Sequence, residues 1–243
     1  SATVAEYVTS IDDEISFCCA VCDIHGEEDS QLTYLRTQNL SEKAQSIYQL
    51  SSRAASKAKL KTFNLDLGCE WVRNESVSRL VGEGATSEML AVSVPEKSQE
   101  FDMRTLQLHE QRNTSSNLLY KNALYDDSKT TFAGMIVVED EAHQTDAYQT
   151  CRNLLMSDTS EANSMPGLEI KADQVRCSHG ATCTPVSKDE LFYLQSRGVK
   201  EPAARQLLTF GFVKEAVDRI GNNSLEEVIL GKLGRRFNRI GAG

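Results

Sequence analysis

The chain has 243 residues, 40% of them hydrophobic and 25% charged, with only 4 prolines and 14 glycines. That balance suits one large domain, or one domain with a small appendage, around a real core; collagen-like and low-complexity readings fall away, and no apolar run approaches the ~18 residues a membrane helix needs. The net charge is −9, unevenly placed: 16 basic against 28 acidic residues lie up to Ser187, and 10 against 7 from Lys188 onward. An acidic body argues against a nucleic-acid partner, since such binders carry a basic face that displaces counterions from phosphates.

From the start of the chain the dominant hydrophobic period is two. Ile15, Phe17, Cys19 and Val21 alternate with other residues, and Phe63, Leu65, Leu67, Cys69 and Trp71 alternate with Asn64, Asp66, Gly68 and Glu70. The second run predicts one extended strand with five large side chains on a single face. Shorter alternations follow at Leu90–Val92–Val94, Leu106–Leu108 and Leu168–Ile170, with polar turns at 25–30, 82–87, 113–117 and 125–130. Many short strands with polar turns mean an all-β body. Sandwich, barrel and β-solenoid all fit it, with the solenoid modestly favoured because stacked rungs need only short strands.

After Pro185 the period becomes helical. Ser187 and Glu190 form a capping box, Leu191, Phe192 and Leu194 give an apolar side, and Gly198 is a stop. Pro202 suits the first turn of a second helix, whose expected stripe is Ala204, Leu207, Leu208, Gly211, Phe212, Ala216 and Ile220, ending at Gly221. Ser224 and Glu227 read as the capping box of a third, with Lys232, Arg235, Arg236 and Arg239 near the end where a helix dipole favours cations. The expected division is a β body over 1–187 and a helical subdomain over 188–243.

Seven scattered cysteines, an odd number, do not resemble the paired framework of a small secreted domain. Reduced thiols in a cytosol-like compartment are the expectation. The chain begins at Ser1 without a methionine or a basic-then-apolar leader; a cytoplasmic protein is the expectation, with a processed organellar form or a cloned fragment left open. Sequons at Asn39, Asn74, Asn113 and Asn222 are attributed to chance.

Phosphate-loop, HExxH and GxSxG motifs are missing, and Gly82-Glu83-Gly84 reads as a turn. Paired carboxylates at Asp12-Asp13, Glu27-Glu28 and Asp126-Asp127 fall in turn sequence and read as solvated loops. Cys19 and Cys22 have the spacing of a metal or redox motif, yet on a strand they point to opposite faces; Cys18, Cys19 and Cys22 are therefore expected as buried small hydrophobes. Cys177 and His179 are different. If their segment is extended, thiol and imidazole share a face at i and i+2 and suit a soft metal or an iron-sulfur fragment; a structural cysteine beside a backbone-satisfied histidine is the blander reading.

Four blocks in order carry a resemblance: residues 145–158 (TDAYQTCRNLLMSD), 166–173 (PGLEIKAD), 177–182 (CSHGAT) and 191–199 (LFYLQSRGV). Together they are similar to the SufB/SufD family of iron-sulfur cluster assembly proteins, within it the SufD branch. The resemblance implies a right-handed parallel β-helix (β-solenoid) followed by a helical subdomain. It also implies a non-catalytic scaffold subunit that pairs with a SufB-type subunit and holds a SufC-type ATPase through its C-terminal helices. His179 and Cys177 take the positions of the SufD-type CSHGAT motif near the subunit interface where a nascent cluster is thought to form. Cys151 falls where SufB-type members carry their key cysteine, while Gly180 stands where those members carry a glutamate.

The implied set is thus His179, Cys177 and Cys151 for cluster assembly, and Leu191, Phe192, Leu194, Arg197, Leu207, Leu208 and Phe212 for partner binding. No cofactor is expected to be held stably by this chain alone, with an iron-sulfur cluster or iron passing transiently at a subunit interface; no nucleic-acid or membrane partner is expected. Two alternatives are a SufB-type homodimeric scaffold, suggested by Cys151, and a β-solenoid enzyme acting on an acidic polysaccharide, which rests on fold analogy.

Overall fold

A computed structural model describes residues 1–241. These form β1 (Ala2–Thr9), β2 (Ser16–Gly26), β3 (Gln31–Asn39), β4 (Ala44–Ala54), β5 (Lys59–Asp66), β6 (Trp71–Leu80), β7 (Thr86–Ser93), β8 (Glu100–His109), β9 (Ser115–Leu124), β10 (Lys129–Val138), β11 (Asp146–Leu155), β12 (Glu161–Ile170) and β13 (Arg176–Pro185). Three helices follow: α1 (Lys188–Ser196), α2 (Glu201–Asp218) and α3 (Asn223–Ile240).

Odd-numbered strands make a 7-stranded sheet and even-numbered strands a 6-stranded sheet, every pairing parallel. The chain alternates between the sheets, so each strand lies beside the one a full coil away: Ala2 pairs with Leu32, Asp146 with Arg176. This is a β-solenoid, the choice among three architectures that periodicity left open.

Its corners stack as regularly as its strands. Asp29, Lys57, Gly84, Asn113, Gln144 and Gln174 all adopt left-handed backbone conformation and form one column; Cys69, Lys97 and Asp126 form another. Within the first column Asp29 N donates to Ser56 O, Lys57 N to Glu83 O and Asn113 N to His143 O, which carries the ladder through the bends. Each of these six residues is followed by a small or β-branched one: Ser30, Ala58, Ala85, Thr114, Thr145 and Val175. That recurrence is the repeat a search for strict sequence identity misses.

The predicted single strand over 63–71 is two strands broken by such a corner. A Cβ on Gly68 would lie 2.1 Å from Leu40 O, and Cys69 has φ 76°, so the chain bends there. The apolar side of β5 faces out of the coil. Phe63 and Leu65 lie on the outer face of the 7-stranded sheet, in one apolar cluster with Leu90, Val92 and Leu119 and with Val213, Val217, Ile229, Leu233 and Phe237 of α2 and α3. Asn64 and Asp66 instead face the solenoid interior, where Asn74 Nδ2 donates to Asp66 Oδ2 at 2.7 Å and Arg36 Nη1 lies 3.7 Å from Asp66 Oδ1. A buried carboxylate needs such partners.

Helix boundaries match the periodic reading more closely than helix faces do. Ser187 caps α1 by accepting from Glu190 N, and Pro202 sits in the first turn of α2. The buried side of α2, however, is Ala204, Thr209, Val213, Ala216 and Val217, leaving Leu207 exposed and Leu208 and Phe212 half-buried. α3 is capped by Asn222, whose side chain accepts from Leu225 N while Glu226 Oε1 accepts from Gly221 N and Asn222 N; Ser224 and Glu227 are not the cap. No helix among the described residues is long and apolar enough to cross a membrane.

Candidate functional site at the open end of the solenoid

β13 is the last strand of its sheet and pairs on one side only, with β11. Register places Cys177 beside Ala147, His179 beside Gln149, Ala181 beside Cys151 and Cys183 beside Asn153. Ala147 and Cys151 belong to interior clusters, so period two sends Cys177, His179, Ala181 and Cys183 to the inward side too. Among the described residues no further rung closes over them. Cys177 is half-buried, while His179 and Cys183 are exposed.

The expected pairing of thiol and imidazole on one face therefore holds, at the uncovered mouth of the coil. Cys183, which the sequence reading passed over, shares that face; the signal was its even spacing from Cys177 and His179. Asn153 Nδ2 donates to Cys183 Sγ at 3.4 Å and to Ser164 Oγ at 3.2 Å, tying β11 to both terminal strands. Gly180 points to the opposite side, and a Cβ there would meet nothing within 4 Å, so a side chain at this position would project away from His179.

Cys151 lies one rung deeper and is fully buried. Burial pushes its thiol up to about 12, offset in part by hydrogen bonds with Ser164, Asn153 and Asn122. It is a neutral thiol in a packed core, not an exposed nucleophile. Burial, with Asp146 nearby, also raises Cys177. Among the described residues no three His, Cys, Asp or Glu side chains come together closely enough to hold a metal ion.

At the other end of the solenoid Cys18 and Cys22 are half-buried and Cys19 is exposed, correcting the expectation that all three are buried. Two positions combine: β2 is the edge strand of its sheet, so the inward-facing Cys18 and Cys22 are covered by a rung on one side only, while Cys19 lies on the outer face with Phe17 and Val21, which are also exposed.

The helical surface divides in the same way. Leu191 is buried in the helix packing, whereas Phe192 is 71% and Leu207 55% exposed. Arg197 stacks its guanidinium over Tyr193, 5.3 Å from the ring centroid. Leu208 and Phe212 line a groove of about 670 Å³ with Leu154, Pro185, Val186 and Leu207, directly beside the end of β13. Phe212 is pinned from behind by the buried Lys121 ammonium, 4.3 Å from its ring centroid.

Residues 1–212 match the family model described as "SUF system FeS cluster assembly, SufBD core domain". The chain is 29% identical over 236 residues to the iron-sulfur cluster assembly protein SufD of Escherichia coli, covering 97% of this chain and 56% of that protein. It is 31% identical over 206 residues to a SufBD family protein of Synechocystis, covering 85% of this chain and 46% of that one. A SufBD family protein of Mycobacterium leprae shares 33% identity over 181 residues, 71% of this chain and 46% of its own length. The chain thus spans about half the length of the curated relatives it matches. With its CSHGAT segment on the final strand of a parallel solenoid and a family match running from the first residue into α2, the chain belongs to the SufBD family of the SUF iron-sulfur cluster assembly system.

Proposed function

We propose that the chain is a SufD-like, non-catalytic scaffold subunit that pairs with a SufB-type subunit across the open end of its solenoid and holds a SufC-type ATPase on its helices. One observation carries this reading: His179, Cys177 and Cys183 face the interior side of a rung that nothing closes. Imidazole nitrogen and thiolate sulfur are ligands of iron and its sulfide clusters, so a cluster is the cargo that chemistry suits. One chain presents these groups from one side, and a partner would supply the rest of the coordination sphere. The free edges of β12 and β13 support docking there, since unpaired strand N–H and C=O groups are a template for pairing with another chain.

His179 is the lead residue because it is exposed, with Cys177 beside it; the burial of Cys151 gives that thiol a supporting place beneath the site. Replacing His179→Ala should abolish cluster maturation in a complementation assay while the circular dichroism spectrum and melting temperature stay unchanged; full maturation would overturn the assignment. ATPase docking is tested by Phe192→Asp with Leu207→Asp, which should remove capture of a SufC-type ATPase in a pull-down, and unchanged capture would count against it. Deleting 188–243 is a poorer test, because the helices cover Phe63, Leu65 and Leu90.

A further inference from the structure

Four cations of α3, Lys232, Arg235, Arg236 and Arg239, fall at helical spacing and line one cleft of about 240 Å³ against Thr37, Gln38 and Asn39 at the end of β3 and Leu67 just after β5. Two of them are neutralised. Arg236 is buried and donates to Glu96 Oε1 at 2.6 Å, to Gln99 Oε1 at 2.7 Å and to Val94 O at 2.8 Å. Arg239 pairs with Glu96 and lies 3.7 Å from Glu42. For Lys232 and Arg235, among the described residues, no carboxylate lies within 4.0 Å.

Scarcity of acid does not explain that pair, since 35 Asp and Glu stand against 26 Lys and Arg in this chain. Nor is Lys232 a freely waving surface lysine: it is half-buried, with its ammonium 4.8 Å from the centroid of the Tyr7 ring. Burial and the neighbouring Arg235 charge both disfavour its protonated form. Two like charges held together in a concave, polar-walled cleft form an arrangement that an anion relieves.

We propose that the cleft between α3 and the end of β3 binds an oxyanion of the phosphate class, with Lys232 and Arg235 as its direct ligands and Arg239 at the rim. Arg235 offers a planar fork for two oxygens, Lys232 a point charge, and the Thr37 and Asn39 side chains bring hydroxyl and amide donors to the opposite wall. The source is either a free phosphate or a phosphate ester carried by a nucleotide.

The test is calorimetric titration of the full chain with inorganic phosphate, pyrophosphate and a nucleoside triphosphate, each at constant ionic strength against chloride. Saturable binding is expected, weakened roughly tenfold by Arg235→Ala and lost in the Lys232→Ala, Arg235→Ala double variant, with Lys232→Arg retaining it. Tighter binding of inorganic phosphate identifies a free anion, and tighter binding of the triphosphate identifies an ester. Heats matched by chloride, or binding that survives the double variant, would overturn the proposal. Both residues reach solvent, so the variants should fold; an unchanged circular dichroism spectrum checks this.

Discussion

Adjacent rungs of one sheet meet opposite fates. In β11 the inward side chains Ala147, Gln149, Cys151 and Asn153 are all buried, whereas their register partners in β13, Cys177, His179, Ala181 and Cys183, are half-buried or exposed. Nothing in local sequence separates the two strands; both carry a Cys among small and polar residues on the same face. What differs is the presence of a next coil. In a solenoid each rung is buried by its neighbours, so the last rung keeps core-like chemistry on a wet surface. A thiol in the first setting is a neutral packing group, and in the second an available ligand.

The largest effect should come from stripping apolar packing out of the covered middle of the sheet. Phe63→Ala removes a ring sandwiched between β5 and the helices and should cost about 3–5 kcal/mol in chemical denaturation, while His179→Ala in the open rung should stay within about 0.5 kcal/mol. Comparable costs would erase the distinction between middle and end.

Interior titratable groups sharpen it through pH. Burial raises Asp66 to about 6, with Arg36 and Asn74 pulling the other way, so its contribution is present below about pH 3.8 and lost as pH rises through about 6. His109, buried with its ring nitrogens 2.8 Å from Thr114 Oγ1 and Ser116 Oγ, is lowered to about 4. Its contribution is present above about pH 6.5 and lost as pH falls through about 4. Urea midpoints across this range should lose their alkaline decline in Asp66→Asn and their acid decline in His109→Gln; parallel profiles for wild type and variants would contradict the buried setting of these groups.

The smallest perturbation is chemical labelling. Brief iodoacetamide treatment of the native chain, mapped by mass spectrometry, should modify Cys19 and Cys183 first and leave Cys69 and Cys151 intact, because burial pushes both of the latter up to about 12. Labelling of Cys151 as fast as Cys183 would mean that the penultimate rung is as open as the last.

The local geometry of the candidate site was legible in advance. Period two alone places Cys177 and His179 on one face once the segment is extended, and the CSHGAT run marked the segment. Cys183 obeys the same parity but lay outside the motif. The 63–71 segment was misread for a related reason: the corner at Gly68-Cys69 preserves the alternation of large and small residues, so periodicity runs through a bend without registering it. Similarly, the buried face of α2 shifted to Val213 and Val217 because the outer apolar side of the 7-stranded sheet, not hydrophobicity along the helix alone, selects which side docks.

Local chemistry is written in the sequence by itself: short extended segments with polar turns between them, helix starts at Ser187 and Pro202, and a thiol and an imidazole two residues apart. Only the tertiary structure decided which face of each strand is inside. Phe63 and Leu65 look outward because α2 and α3, far along the chain, arrive to cover them, and Asn64 and Asp66 turn inward because Arg36 and Asn74 wait there as partners. Burial is a property of what packs against a residue, and in a coil those neighbours come from the adjacent turns and from elements that fold back over the sheet.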